Sequence, residues 1–323
     1  MSDAGEDIAT VFEELGDLEK EFADTELDAL RRKEFALKPL YAKRQALLER
    51  VPGFWPTVFG NAPEEVQQFF SPEDLSLLSS LISFSVDRYQ IQTESKGEPR
   101  SLRFTFEFGA NDIIEDAKLV KDFEYRAGVP GGSGNFVSKP VAIKFKNKKK
   151  DVTHGLLDAA VELYSAEEAL KLKNGDGEID IVDREALWQH EKLRQKMIKL
   201  DEEPEQEPSF FNWFGFRGAV NSHAEREPKV STTNGTSSPD EEEEGDDDDE
   251  DQMLELEIFP AGDDVAITLA EELWTDAMDF FMSAQDEGAF DIDEDDEVSD
   301  DDDEAPELVP VEDDRPRKKQ RKA

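Results

Sequence analysis

Apolar residues recur at three- and four-residue steps through residues 6–48: Ile8, Phe12, Leu15, Leu18, Phe22, Leu30, Leu37, Tyr41 and Leu48. Charged residues such as Glu13, Glu14, Asp17, Lys20, Arg31, Arg32 and Lys43 fill the intervals. This period lays one apolar stripe along a helix. Roughly forty residues make a rod of about 60 Å, about twice the width of a small domain, so one domain cannot cover the stripe. A second copy can, and the spacing therefore predicts a dimerisation helix, paired parallel or antiparallel with its twin. Pro39 lacks an amide donor and clashes with the preceding turn, so a kink or break is expected there. Pro52 and Gly53 should end the rod.

Phe54, Trp55, Val58 and Phe59 follow as candidate core anchors. Ser71-Pro72-Glu73-Asp74 is a helix-start signal: a capping serine, then proline, then two acids. Four strand signals come next. Ile82, Phe84 and Val86 alternate with polar residues, and a slip in phase lets Tyr89 and Ile91 continue, which suggests a bulge. Leu102, Phe104, Phe106 and Phe108 alternate cleanly, Leu119, Phe123 and Tyr125 make a third run, and Val141, Ile143 and Phe145 a fourth. Turn residues separate them, at Lys96–Pro99, Gly109–Asp112 and the glycine-rich 128–135. Patterning with one apolar face implies an antiparallel sheet covered by helices on one side, an α+β class. Helical patterning returns over residues 156–172 and 184–200. The aromatic segment SFFNWFGF (209–216) reads as buried core, and a last helix carries Val265, Leu269, Leu273, Ala277 and Phe281 on its apolar side.

Between these, residues 217–252 turn to Ser, Thr, Asn, Gly, Pro and acids, ending in DEEEEGDDDDED, and residues 291–323 form a second acidic tail. Neither can bury enough apolar surface to offset its chain entropy, so both read as disordered. The partition expected is a long helix at 1–50, an α+β domain at 51–290 with an extra helical segment (156–200) and the acidic insertion, and the tail. The chain carries 80 acidic and 37 basic residues, a net charge of -43. From Asp240 onward there are 36 acidic and 6 basic residues, a net of -30. A surface of this sign favours a basic partner and disfavours direct strong DNA binding. No cysteine is present, which excludes disulfides, thiolate metal sites and cysteine nucleophiles. No apolar run approaches the ~18 residues of a membrane span, and the N-terminus lacks a signal-peptide core, so a soluble intracellular protein is expected.

Few residues suggest chemistry. Asn174, Asp176, Gly177, Ile179 and Asp183 fall in the register of a calcium-binding loop, but Leu172 and Asp183 occupy the positions that need aspartate and glutamate. A helix-to-helix turn is the better reading. The glycines at 128, 131, 132 and 134 lack the ending of a phosphate loop. His154, His190 and His223 have no metal or relay spacing, and no cofactor or catalytic residue is expected. Lys144, Lys146, Lys148, Lys149 and Lys150 form a basic run at a strand end, read as a solvated hairpin, with contact to DNA or an acidic partner as the alternative. Arg315, Arg317, Lys318, Lys319, Arg321 and Lys322 form a short basic cluster of the nuclear-import kind, which predicts a nuclear protein, with shuttling to the cytoplasm left open.

The segments LKPLYAKRQALLERVPGFWPTVF (37–59) and EPSFFNWF (207–214), with the sheet between them and the helix around Glu272 to Phe281 ahead of an acidic tail, resemble the nucleosome assembly protein family. Its SET-like branch is the most similar. The resemblance implies a headset-shaped homodimer, two long helices carrying a pair of α+β "earmuff" domains, and it implies a histone chaperone. Core histones, either or both of the two core pairs, are the implied partners. Glu202, Glu203, Glu205, Glu207, Asp263, Asp264, Glu271, Glu272, Asp276 and Asp279 are the candidate histone-binding acids of the domain's underside. The family also has members that associate with a histone acetyltransferase and SET-like ones that inhibit a phosphatase, which makes an acidic regulatory protein the alternative. The segment 156–200 and the insertion 217–252 depart from the family pattern.

Overall fold

The computed structural model describes residues 3–128, 134–175, 179, 181–203, 208–218 and 256–290. The chain divides into two compact units, Met1–Ala284 and Gln285–Ala323, the second described only at 285–290, where a helix finishes. The expected acidic tail, the basic cluster at 315–322 and most of the acidic insertion lie outside the described residues.

The stripe does form one helix, α1 (Asp3–Leu48), and it runs on through Pro39. Pro39 therefore does not break the helix. A proline costs one amide bond, and here the flanking residues are docked from both sides: Lys38 pairs with Asp87 at 2.9 Å and Tyr41 packs on Trp274 with ring centroids 5.4 Å apart. The chain leaves α1 through a turn ending at Gly53, whose φ of 72° is left-handed. Next come α2 (Phe54–Gly60), the short α3 (Glu64–Gln67) and α4 (Pro72–Leu78). The start signal at Ser71 becomes a full capping box, with Ser71 Oγ accepting from Asp74 N and Asp74 Oδ2 accepting from Ser71 N, both at 3.1 Å.

Four antiparallel strands follow in meander order: β1 (Leu81–Asp87), β2 (Leu102–Phe108), β3 (Lys118–Arg126) and β4 (Asn135–Ser138). β2 buries Leu102, Phe104, Phe106 and Phe108, as its alternation requires. Two assignments change. The irregularity in β1 falls between Leu81 and Ser83, at its start, so Leu81 turns inward and Ile82 outward. The strand then ends at Asp87 instead of continuing to Ile91. The fourth strand is Asn135–Ser138, and Val141, Ile143 and Phe145 lie beyond it. Pro140 cannot donate to a ladder, so pairing with β3 stops at Ser138. Downstream, Val141 N donates to Phe214 O and Lys146 N to Ile113 O, and Ile143 is buried.

Helices α5 (Leu156–Asn174), α6 (Ile181–Glu185) and α7 (Trp188–Asp201) occupy the extra segment. Leu157 joins the main core, while Leu156, Ala159, Ala160 and Leu163 pack with Leu193 in a satellite. The aromatic segment is a 3-10 helix (Phe210–Gly215) that is buried throughout. Trp213 lies against Phe104 and Phe123, each 5.1 Å away, and donates Nε1 to Gly262 O at 2.9 Å. Each such ring contributes on the order of 2 kcal/mol by leaving water. The last elements are α8 (Gly262–Thr268), a π-helical stretch (Leu269–Leu273) and α9 (Ala277–Phe290).

Candidate functional site

Two surface features have no structural duty that accounts for them. The first is the outer half of α1. Ile8, Phe12, Leu15, Leu18 and Phe22 are all exposed, Phe12 by 69%. Val11, Leu40 and Leu47, absent from the expected stripe, are exposed too. The inner half behaves differently. Leu30, Leu37 and Tyr41 are half-buried, and Leu48 is buried in the body's core. Arg44 clamps this half to its own body: its guanidinium lies 4.2 Å from the Trp274 ring and donates to Trp274 O at 2.6 Å and Thr275 O at 3.0 Å. Burial lowers its pKa, with the charges of Tyr41 and Asp276 acting the other way. Of the predicted stripe positions, those of the outer half are the ones left exposed, while Phe35, Leu40 and Leu47 are exposed on the inner half.

The second feature is the acidic side of α8, the π stretch and the start of α9. Trp274 N reaches back five residues to Leu269 O at 3.0 Å, the wider turn of a π-helix. The extra residue keeps Leu269, Ala270, Leu273, Trp274 and Ala277 buried while Glu271, Glu272, Asp276 and Asp279 all face solvent. Asp264 is exposed and Asp263 half-exposed one helix earlier. Glu271 pairs with Arg88 at 3.2 Å. Glu202 and Glu203 stand on a different element, at the end of α7, where Glu203 pairs with Lys199 at 3.5 Å. Glu205 and Glu207 lie outside the described residues, as do Asp176 and Gly177 of the calcium-loop register. α5 is helical through Asn174 and ends at a left-handed Gly175, the expected helix-to-helix turn. Between α1, the end of β1 and the π stretch opens a cleft of about 480 Å³, lined by Tyr41, Gln45, Arg88, Glu271 and Trp274 among others. Burial, then the charge of Glu34, raises the Tyr41 pKa.

One buried ionic cluster escaped the sequence reading. Lys121 on β3 is fully buried, and its ammonium donates to Lys139 O (2.9 Å), Phe214 O (3.0 Å) and Phe216 O (2.6 Å). Burial pulls its pKa well below the ordinary lysine value, but three carbonyl acceptors need three hydrogens, which only the ammonium has. Glu257 accepts from Arg217 N at 2.8 Å and Gly218 N at 3.3 Å, and burial raises its pKa. Arg217 and Arg184 both pair with buried Glu167; burial alone would raise that carboxyl, and the two guanidiniums hold it low. The signal was available, since the alternation of Leu119 and Phe123 places position 121 on the inward face.

No protein-family model matches the chain. A Schizosaccharomyces pombe protein bearing the name nucleosome assembly protein is 30% identical over 152 residues, 44% of this chain and 60% of that protein. NAP1-related protein 1 of Arabidopsis thaliana is 27% identical over 45% of this chain and 52% of its own length, and Protein SET of Drosophila melanogaster 28% over 46% and 53%. The chain thus spans about half the length of the curated relatives it matches. Among solved structures, a Ccp1 mutant superimposes with a TM-score of 0.52 at 23% identity, over 88% of this chain and 99% of that one. Vps75 gives 0.52 at 17% identity, over 86% and 99%. Over somewhat less than half its length the chain is similar to proteins named for nucleosome assembly, and it shares the fold of Ccp1 and Vps75. Protein SET among these relatives agrees with the branch whose segments the sequence resembles, and the long helix with its α+β body is the fold shared with Ccp1 and Vps75.

Proposed function

We propose that this chain is a histone chaperone that works as a homodimer in the nucleus. Dimerisation is assigned to the outer stripe of α1, from Ile8 to Phe22. Cargo binding is assigned to the acids of α8 to α9 (Asp263, Asp264, Glu271, Glu272, Asp276, Asp279) together with Glu202, Glu203, Glu205 and Glu207, assisted by the acidic insertion and tail. The basic cluster from Arg315 to Lys322 is assigned to nuclear import. The observation that carries the reading is that Glu271, Glu272, Asp276 and Asp279 all face solvent, on the π stretch, the bend after it and the start of α9, above a buried apolar side. The names of the curated relatives, which speak of nucleosome assembly, supply the cargo class.

Each exposed ion pair contributes only about 0.2–1 kcal/mol, so affinity must be summed over many. Acidic segments tethered to the body raise local concentration, and DNA recovers the cargo by competing for the same cations. The test is titration of each core-histone pair against the full chain and against Glu271→Gln, Glu272→Gln, Asp276→Asn and Asp279→Asn combined. Four lost pairs predict a weakening on the order of tenfold to a hundredfold at about 0.15 M salt. An unchanged affinity removes the folded face from the account.

A further inference from the structure

The lysine run at 144–150 is an anomaly in so acidic a protein. Some lysines elsewhere find carboxylates, as Lys38 with Asp87, Lys118 with Glu107 and Lys192 with Glu162, whereas five that fall within seven residues here do not. Lys144, Lys146, Lys148, Lys149 and Lys150 are all exposed, and none has a carboxylate within 4.0 Å among the described residues. Two of the nearby acids are otherwise engaged. Asp116 accepts from Lys144 N at 2.6 Å, and Asp151 accepts from Thr153 N and Oγ1 at 3.0 and 2.6 Å. The run is also held in shape. Lys148–Lys150 is a 3-10 turn capped by Asn147, whose Oδ1 accepts from Lys149 N at 3.0 Å, and Lys146 Nζ is tied to Asn111 O.

A strongly acidic segment is rooted close by. Residues 219–255 connect Gly218 to Leu256, and the two flanking ends are joined by Glu257, which accepts from Arg217 N and Gly218 N. Arg217 O accepts from Ser138 N at 2.8 Å, so this root sits beside the end of β4. From the root, five residues lead back to Asp251, at most about 17 Å of extended chain, and nine to eleven lead from Lys139 to Lys148–Lys150, at most about 36 Å. Residues 240–251 hold eleven acids and no base.

We propose that the lysine turn is an intramolecular dock for the chain's own acidic run, Asp240–Asp251. Tethering at this distance gives an effective concentration in the millimolar range, above what any free polyanion reaches in dilute solution. Duplex DNA, the competing occupant, must approach a chain of net charge -43. Docking holds part of the acidic charge against the body and releases it when a denser polycation arrives. This does not depend on the identity of the cargo.

Zero-length carbodiimide cross-linking of the full chain, read by peptide mass spectrometry, tests it without histone. Cross-links from the lysine turn to residues 240–251 are expected to exceed those from exposed Lys43 and Lys96 by roughly fivefold at ~50 mM salt and to level with them at ~1 M. Lys148→Gln, Lys149→Gln and Lys150→Gln together should abolish the excess. A companion chain with the eleven acids replaced by Asn and Gln should bind a short duplex through the same lysines more tightly than the parent. Equal cross-linking at all lysines overturns the proposal, and so does DNA binding that the acidic run leaves unchanged.

Discussion

Phe12→Asp gives the sharpest test of the pairing assigned to α1. In the protomer this ring is 69% exposed and belongs to a stripe whose neighbours Ile8, Leu15 and Phe22 are exposed as well. Burying the remainder against a twin is worth about 2 kcal/mol. In a two-fold pair every substitution occurs twice, so the apolar loss alone is about 4 kcal/mol. A carboxylate forced into the seam adds a desolvation cost of at least about 1 kcal/mol per copy. The total, about 6 kcal/mol, corresponds to a factor on the order of 10⁴ in the dissociation constant. A pair that holds at ~10 nM would then separate below ~100 µM. Multi-angle light scattering on a sizing column reads the outcome: at ~10 µM the parent should run at twice the 36.5 kDa chain mass and the variant at the single mass. Asp24→Asn, on the opposite side of the helix, should change nothing. A variant that stays double, or a parent that runs single, refutes the reasoning.

Two further substitutions probe the body. Lys121→Met leaves three carbonyls without their donor and Glu257 without its nearest cation, and should cost about 3 kcal/mol in urea unfolding at neutral pH. The parent also has a pH signature: with the folded pKa of Lys121 lowered, the unfolded chain binds more protons in the alkaline window below about 10.4. Parent stability should therefore rise with pH across that window, and the Met variant should lose the slope. Asp74→Ala strands Ser71 N, Phe210 N and Ser209 Oγ in the interior, about 1 kcal/mol each, and should lower the urea midpoint by the equivalent of about 3 kcal/mol.

Periodicity revealed α1, β2 and the buried aromatic segment because each obeys one rule without interference. β4 was misplaced because Val141, Ile143 and Phe145 alternate as a strand should, while hydrogen-bond supply, cut at Pro140, decides where the ladder ends. The bulge in β1 was put after Val86 on the strength of Tyr89 and Ile91, whereas the pairing slips at Ile82. Of the candidate site, the acids of the π stretch were legible from their spacing. Lys121 stands at an inward position of the β3 alternation, but a charge there is read as outward unless its acceptors are known, and those of Lys121 and Arg217 come from Lys139, Phe214, Phe216 and Glu167, distant in sequence. Leu48 and Tyr41 fitted the stripe, yet their partners lie in the body, which no single-helix pattern can announce.

The carboxylate of Glu257 joins the two strands of backbone that flank residues 219–255 much as a knot closes a balloon. Beyond that knot, length is nearly free: doubling a flexible loop adds only about 0.6 kcal/mol of closure entropy. A longer or shorter segment there changes the closing cost at the knot by well under about 1 kcal/mol.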